Sequence, residues 1–289
     1  MRYVVLALNA VLQDPFERWR ERKLARYPRS AEDLIVEVRD PRELSDSEAA
    51  EIRRVCGAAN MAVYAGPLAD VADKDIARRL GERLGLTRLH ANPLSDEDGI
   101  SSLEVAPEKS ARGYIPYSNR RLLWHTDGYY NAPEQRIRAF ILHCVRPAAA
   151  GGENRLLDPE IAYLLLRDAD PQYVQALSAP DAMTIPANEE DGAMMRPAQT
   201  GPVFSTDGGA LHMRYTARTR SIEWRPDEAT RAAVQFLKQI LDAGSPYVFT
   251  LRLAAGQGLV CNNVLHDRSA FTDGAPGRLV YRARYLDRI

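Results

Sequence analysis

The order of its secondary-structure patterns constrains this chain more than any other feature. Helix-period patterns are concentrated early and strand patterns later, with no regular βαβ alternation. A doubly wound parallel sheet needs that alternation. The order therefore points to a mainly β fold with flanking helices, an antiparallel sandwich or jelly roll.

The individual patterns are readable. Asp14-Pro15 ahead of Phe16, Trp19 and Leu24 predicts a capped N-terminal helix, with Pro28 beyond its end. Leu34 to Val38 reads as a strand. Ser45-Asp46-Ser47-Glu48 is a capping box leading into Ala49, Ile52 and Val55, with a stop expected at Gly57. Met61 to Tyr64 is a strand, and a third helix runs from Asp73 to Gly85. From Asn92 to Asn119 periodicity fades around one strand-like piece, Ser101 to Val105, as in a functional lid. Strands follow at Arg136 to Val145 and Asn154 to Leu157, then a helix from Pro159 to Ala169. A polar loop is expected over Pro186 to Gly201, strands near Val203 and over Leu211 to Thr216, and a helix from Asp227 closed by Gly244. The last third returns to strand at Tyr247 to Leu253, Gly258 to Leu265 and Arg278 to Leu286. No repeat or Gly/Ser-rich linker divides the chain, so a single domain over 1–289 is expected, residues 1–30 forming a helical N-terminal extension.

Composition narrows the partners. Lys and Arg number 38 against 39 Asp and Glu, a formal net charge of −1, which supplies no field for nucleic acid or an anionic membrane surface. A small-molecule partner is expected, and a homo-oligomer stays open. Cys56, Cys144 and Cys261 lie far apart without a CxxC pair, as in a reducing cytoplasm. The apolar run Tyr3 to Leu8 is too short for a signal sequence, and no stretch reaches the roughly 18 apolar residues of a membrane span. A cytoplasmic location without membrane attachment is expected.

Chemistry centres on Trp124-His125-Thr126-Asp127-Gly128-Tyr129-Tyr130. Side chains alternate along a strand, so His125 and Asp127 share a face and offer two metal ligands. His266 is the natural third. It closes an apolar strand 139 positions after Asp127, a separation that implies opposite strands of one closed sheet. Two His and a carboxylate with open positions opposite make the facial triad of non-haem iron oxygenases. His143, in mid-strand, reads as a hydrogen-bonded core residue.

The chain resembles the Fe(II)/2-oxoglutarate-dependent oxygenases of the taurine dioxygenase superfamily, nearest the γ-butyrobetaine hydroxylase branch. The resemblance covers about residues 30–289. It rests on Trp124-His125-Thr126-Asp127, Leu142-His143-Cys144 with Gly151-Gly152-Glu153-Asn154, Asn263-Val264-Leu265-His266, and Gly277-Arg278 leading into Tyr285-Leu286-Asp287. It implies a distorted double-stranded β-helix (jelly roll, cupin-like) with His125, Asp127 and His266 as catalytic iron ligands. It also implies that Arg278, twelve positions after His266, grips the distal carboxylate of 2-oxoglutarate through its planar fork. Asn154 falls where the family often has Thr, and its amide can donate to the same carboxylate. The implied reaction uses O2, releases succinate and CO2, and hydroxylates or otherwise oxidises an unactivated C–H of a small molecule. Because Asp127 is present, hydroxylation is favoured over halogenation.

Substrate contacts are expected from Tyr117, Tyr129, Tyr130 and Arg282, with Arg214, Arg218 and Arg220 as further anion-binding candidates. Tyr117 matches an aromatic that walls the trimethylammonium site in γ-butyrobetaine hydroxylase, but Gly99 to Pro107 supplies no further cage ring, so no betaine is predicted. Two other readings stay open: a non-catalytic metal- or ligand-binding protein on the same fold, and a zinc hydrolase, which leaves Arg278 without a task.

Overall fold

Ten strands form the two largest sheets of the computed structural model, which describes residues 16–67, 69–91, 96–111, 114–190 and 193–289. In chain order they are β1 (Ile35–Glu37), β2 (Met61–Ala65), β3 (Ser101–Leu103), β4 (Leu122–His125), β5 (Ala139–Arg146), β6 (Asn154–Leu157), β7 (Phe249–Leu251), β8 (Gln257–Cys261), β9 (Leu265–Arg268) and β10 (Leu279–Tyr285). The larger sheet has the order β1-β2-β8-β5-β10-β3, the smaller β7-β6-β9-β4. Only β1 and β2 pair in parallel; the other pairings in both sheets are antiparallel. The Phe140 ring of β5 meets the His266 ring of β9 at 4.8 Å, so the sheets face one another across a shared interior. This is a jelly roll with helices against the larger sheet.

The early helices are α1 (Phe16–Arg26), α2 (Asp46–Ala59) and α3 (Asp75–Arg83). The capping box of α2 forms as the sequence dictates: Ser45 Oγ accepts from Glu48 N, and Ser45 N donates to the Glu48 carboxylate at 2.7 Å. The helix does not stop at Gly57. It continues to Ala59 and ends at Asn60, which adopts a left-handed φ of 57°. One helical glycine costs only about 1 kcal/mol relative to alanine, and the burial of Ile52, Val55 and Ala59 outweighs it. As the crossover between parallel β1 and β2, α2 makes one βαβ unit at the sheet edge.

Two further differences follow from packing. Pro186 to Gly201 is no simple loop: Asn188–Glu190 pairs with Ala193–Arg196, and Gln199–Gly201 joins a small sheet. Residues Pro171–Leu177 form a helix that the sequence reading lacked, capped by Asp170 accepting from Gln172 N. The expected helix start at Asp14-Pro15 and part of the segment from Asn92 to Asn119 lie outside the described residues.

Helix α1 is docked on the core. Phe16, Trp19 and Leu24 pack against the core, and Lys23 Nζ lies 2.5 Å from both the Asp158 and Glu160 carboxylates. Asp158 is itself buried and accepts from Asn60 Nδ2, so it joins α1, the end of α2 and the helix Pro159–Ala169.

Candidate active site

The segment Thr126 to Gly128 leaves β4 and turns sharply into the interior. On one side Thr126 N donates to Tyr215 O and Tyr215 N donates to Thr126 Oγ1 at 3.1 Å. On the other, β9 pairs His266 directly opposite His125. The two histidines therefore sit on neighbouring strands, not on opposite strands as the sequence separation had implied. Gly128 completes the turn at φ 66°, where a Cβ would meet Ile137 Cγ1 at 2.5 Å.

Asn263, at φ 51°, is the residue that brings His266 here. The pattern from Gly258 to Leu265 looks like one strand, but Asn262 and Asn263 break it and send β9 into the other sheet. The Asn263 side chain accepts from Asp127 N at 2.8 Å and donates to Asp127 O and Ile137 O at 3.0 and 2.7 Å. It clamps the Asp127 backbone from a position 136 residues away. An Asn-Asn pair inside an apolar run was the available signal.

Donor atoms of His125, Asp127 and His266 all lie within 4.8 Å of one another, and all three residues are buried. His125 Nδ1 is 2.8 Å from Leu123 O, and His266 Nδ1 is 2.9 Å from Val264 O. A carbonyl only accepts, so each Nδ1 carries the proton and each Nε2 keeps its lone pair. The two Nε2 atoms stand 3.6 and 4.0 Å from Asp127 Oδ1. Burial pushes the His266 imidazolium down to about 3, so it is neutral as a ligand must be. Burial alone would raise the Asp127 carboxyl, but Arg282, with Nη1 3.3 Å away, holds it well below the usual carboxylate range. Asp127 Oδ2 is buried, in ion-pair contact with Arg282 and, among the described residues, without a hydrogen bond. Two free lone pairs and a buried carboxylate, converging in one interior, suit a first-row metal ion.

Arg278 stands at the base of β10, 7 % exposed, and lines a recess together with Asn154, Gly152, Leu142, Cys144 and Val280. Its Nη1 donates to Leu103 O at 3.3 Å. Arg282, four positions on, lies against Asp127. The Tyr129 and Tyr130 rings meet edge to face at 5.2 Å beyond the turn. Tyr117 is buried, with the Lys109 ammonium 4.4 Å over its ring. Arg214 is tied to Met183 O and Gln199 O at 2.9 and 3.3 Å, and Arg220 is exposed. His143 is a core residue as expected, its Nδ1 2.8 Å from Tyr64 Oη.

The profile of the "Taurine catabolism dioxygenase TauD, TfdA family" matches residues 21–284. The chain belongs to this family. It is a non-haem iron, 2-oxoglutarate-dependent dioxygenase, and the readings as a non-catalytic binding protein or zinc hydrolase fall away. Among its relatives is a uridine-5′-phosphate dioxygenase of an Amycolatopsis species, 32 % identical over 246 residues, covering 79 % of this chain and 83 % of that one. Among solved structures, asparagine oxygenase with Fe(II), 3-hydroxyasparagine and succinate is similar at a TM-score of 0.62 and 19 % identity, over 83 % of this chain and 78 % of that one. The non-heme iron oxygenase OrfP with Fe and alpha-ketoglutaric acid gives 0.62 at 17 %, over 84 % and 80 %. These likenesses show the TauD-family jelly roll. Among the described residues, no helix is long and apolar enough to cross a membrane.

Proposed function

We propose that His125, Asp127 and His266 hold the Fe(II) ion, that Arg278 with Asn154 receives the distal carboxylate of 2-oxoglutarate, and that the oxidised substrate is a nucleoside 5′-monophosphate of the uridine type. The observation that carries the substrate reading is the 32 % identity with uridine-5′-phosphate dioxygenase across 79 % of this chain. When bound, the iron and the keto acid would activate O2, the oxidant, the keto acid being oxidised to succinate and CO2; no protein side chain provides that chemistry. The protein contributes placement and exclusion of water. Asn263 and Gly128 set the Asp127 carboxylate, the two Nδ1 hydrogen bonds aim the histidines, and Phe140 closes the interior behind His266. Arg278 is a buried cation that, among the described residues, donates to the Leu103 carbonyl and lies 5.3 Å over the Phe271 ring but pairs with no carboxylate, so a bidentate carboxylate suits it. Tyr129 and Tyr130 offer rings on which a base can stack.

The narrower kinship with γ-butyrobetaine hydroxylase draws no support from the relatives. In addition, the Tyr117 ring already carries a cation, the Lys109 ammonium, over one face. The shared core cluster, which runs from Tyr27 to Tyr285, supports one domain over the chain, and three buried free cysteines suit a reducing cytoplasm.

The test is anaerobic reconstitution with Fe(II), followed by O2, 2-oxoglutarate and uridine 5′-monophosphate. Succinate release should rise severalfold when the nucleotide is added. If only slow, nucleotide-independent release is seen, the substrate reading is wrong. If D127A binds Fe(II) as wild type does, the ligand assignment is wrong.

A further inference from the structure

Strand β10 and the residue before it carry three buried or half-buried arginines at even-numbered positions: Arg282 and Arg284 beside the turn after Asp127, and Arg278 just ahead of the strand. Two already have partners in the reading above, Arg278 the keto acid and Arg282 the Asp127 carboxylate. Arg284 has no direct partner of that kind among the described residues; the Tyr130 hydroxyl and, from beyond hydrogen-bond reach, the Asp127 carboxylate favour its charge. It is 3 % exposed, yet among the described residues no carboxylate pairs with it. Its hydrogen bonds go to neutral groups at the long end of the range, Nη1 to Tyr130 Oη at 3.4 Å and Nη2 to His90 Nδ1 at 3.3 Å. Its Nε is buried without any partner.

The neighbours make the imbalance worse. His90 is pushed down by burial and then by Arg284, so the ring is neutral and accepts at one nitrogen only. Both of its nitrogens face donors, Arg284 Nη2 on one side and Asn131 Nδ2, 3.3 Å away, on the other. Donors therefore outnumber acceptors around a buried cation. A protein that removes a guanidinium from water leaves it short of acceptors where an acceptor-rich anion arrives from outside.

Position says which anion. Strands rise about 3.3 Å per residue, so Arg284 lies about 7 Å past Arg282, while Arg278 lies about 13 Å from Arg282 in the other direction. A keto acid held at Arg278 cannot span to Arg284. A substrate on the opposite side of the metal ligands can.

We propose that Arg284, flanked by His90 and Tyr130, is the specificity-determining residue that reads the phosphate of the substrate, an assignment that rests on the nucleotide reading above. A phosphate monoester presents three terminal oxygens to the surplus donors and matches the planar fork of Arg.

The experiment compares uridine 5′-monophosphate with uridine as probes in the iron-loaded full chain, for wild type, R284Q and R284K. R284Q should raise the KM for the nucleotide roughly tenfold to hundredfold, the usual loss for a charge-assisted hydrogen bond. The KM for uridine and that for 2-oxoglutarate should stay put, so the preference for the phosphorylated probe collapses. R284K, which keeps a point charge, should recover part of it. Anaerobic calorimetric titration with the nucleotide should show the same ranking without turnover. If R284Q weakens both probes equally, or leaves the preference intact, Arg284 is merely structural and the assignment is overturned. If R284Q does not fold, R284K decides alone: a wild-type preference in that variant overturns the assignment. Wild-type enzyme that neither binds nor turns over the nucleotide overturns the nucleotide reading itself, and the assignment with it.

Discussion

Single residues set the Asp127 carboxylate in place, and their removal has separable consequences. Asn263→Ala would strip hydrogen bonds from Asp127 N, Asp127 O and Ile137 O at once. Leaving buried backbone groups unpaired costs about 1–3 kcal/mol each before relaxation, so a loss of about 3 kcal/mol is expected in urea denaturation. Residues that orient a ligand typically change metal affinity 10–100-fold, and a drop of about that size should appear in anaerobic Fe(II) titration of the folded variant. Gly128→Ala tests the turn. A Cβ there meets Ile137 at a left-handed φ, so the turn must shift and carry Asp127 with it. Turnover should fall more than stability does. At the other end of the site, Arg278→Leu should raise the KM for 2-oxoglutarate by about tenfold or more, measured by succinate release. An unchanged KM would remove Arg278 from the keto acid site.

At the scale of elements, α1 docks through one buried lysine. Lys23 lies between Asp158 and Glu160 and ties this helix to the start of the helix Pro159–Ala169, while the more exposed Arg20 pairs with Asp168 at its other end. Removing one partner of a buried ion pair strands the other charge and costs about 3–5 kcal/mol. Lys23→Met should therefore lower the denaturation midpoint sharply, while the KM for 2-oxoglutarate in the folded fraction stays at the wild-type value. A change below about 0.5 kcal/mol, the usual range for surface substitutions, would mean that α1 is held without Lys23, by Phe16, Trp19 and Leu24 and by the Arg20–Asp168 ion pair.

The whole molecule is nearly neutral, with a net charge of −1, so its pH response comes from particular buried groups more than from general repulsion. His143 is one. Burial pushes its imidazole down to about 4, below the usual value of about 6.5. In the unfolded chain it takes up a proton near pH 6.5, whereas in the folded chain it resists until about pH 4. The unfolded state thus binds more protons in that window, and stability falls as pH is lowered through it, by at most about 1.4 kcal/mol per pH unit. Above that window this group has no effect. Unfolding free energies measured at pH 7.5, 6 and 5 should fall progressively in wild type and less steeply in His143→Gln, which can still accept from Tyr64 Oη. Parallel slopes would assign the acid loss to other groups.

What the sequence determined by itself is local and periodic. The capping box of α2, the alternation along β10 and the order of helices before strands follow from local spacing, whereas Asp127 meets His125 because the chain turns beyond the end of β4. The candidate metal ligands were legible because His125 and Asp127 stand two positions apart in one short motif and His266 closes a recognisable apolar run. Tertiary structure alone decided the rest. Asn263 looks like one more residue of a strand until its left-handed backbone sends β9 into the second sheet, which puts His266 beside His125. Arg284 and His90, 194 positions apart, meet only because the chain at Leu89 and His90 bridges the end of β10 at Arg284 and Tyr285. Periodicity tells which face a side chain takes. Whether a cation on that face finds a carboxylate, or is left buried and short of acceptors, depends on strand pairings that no local pattern records.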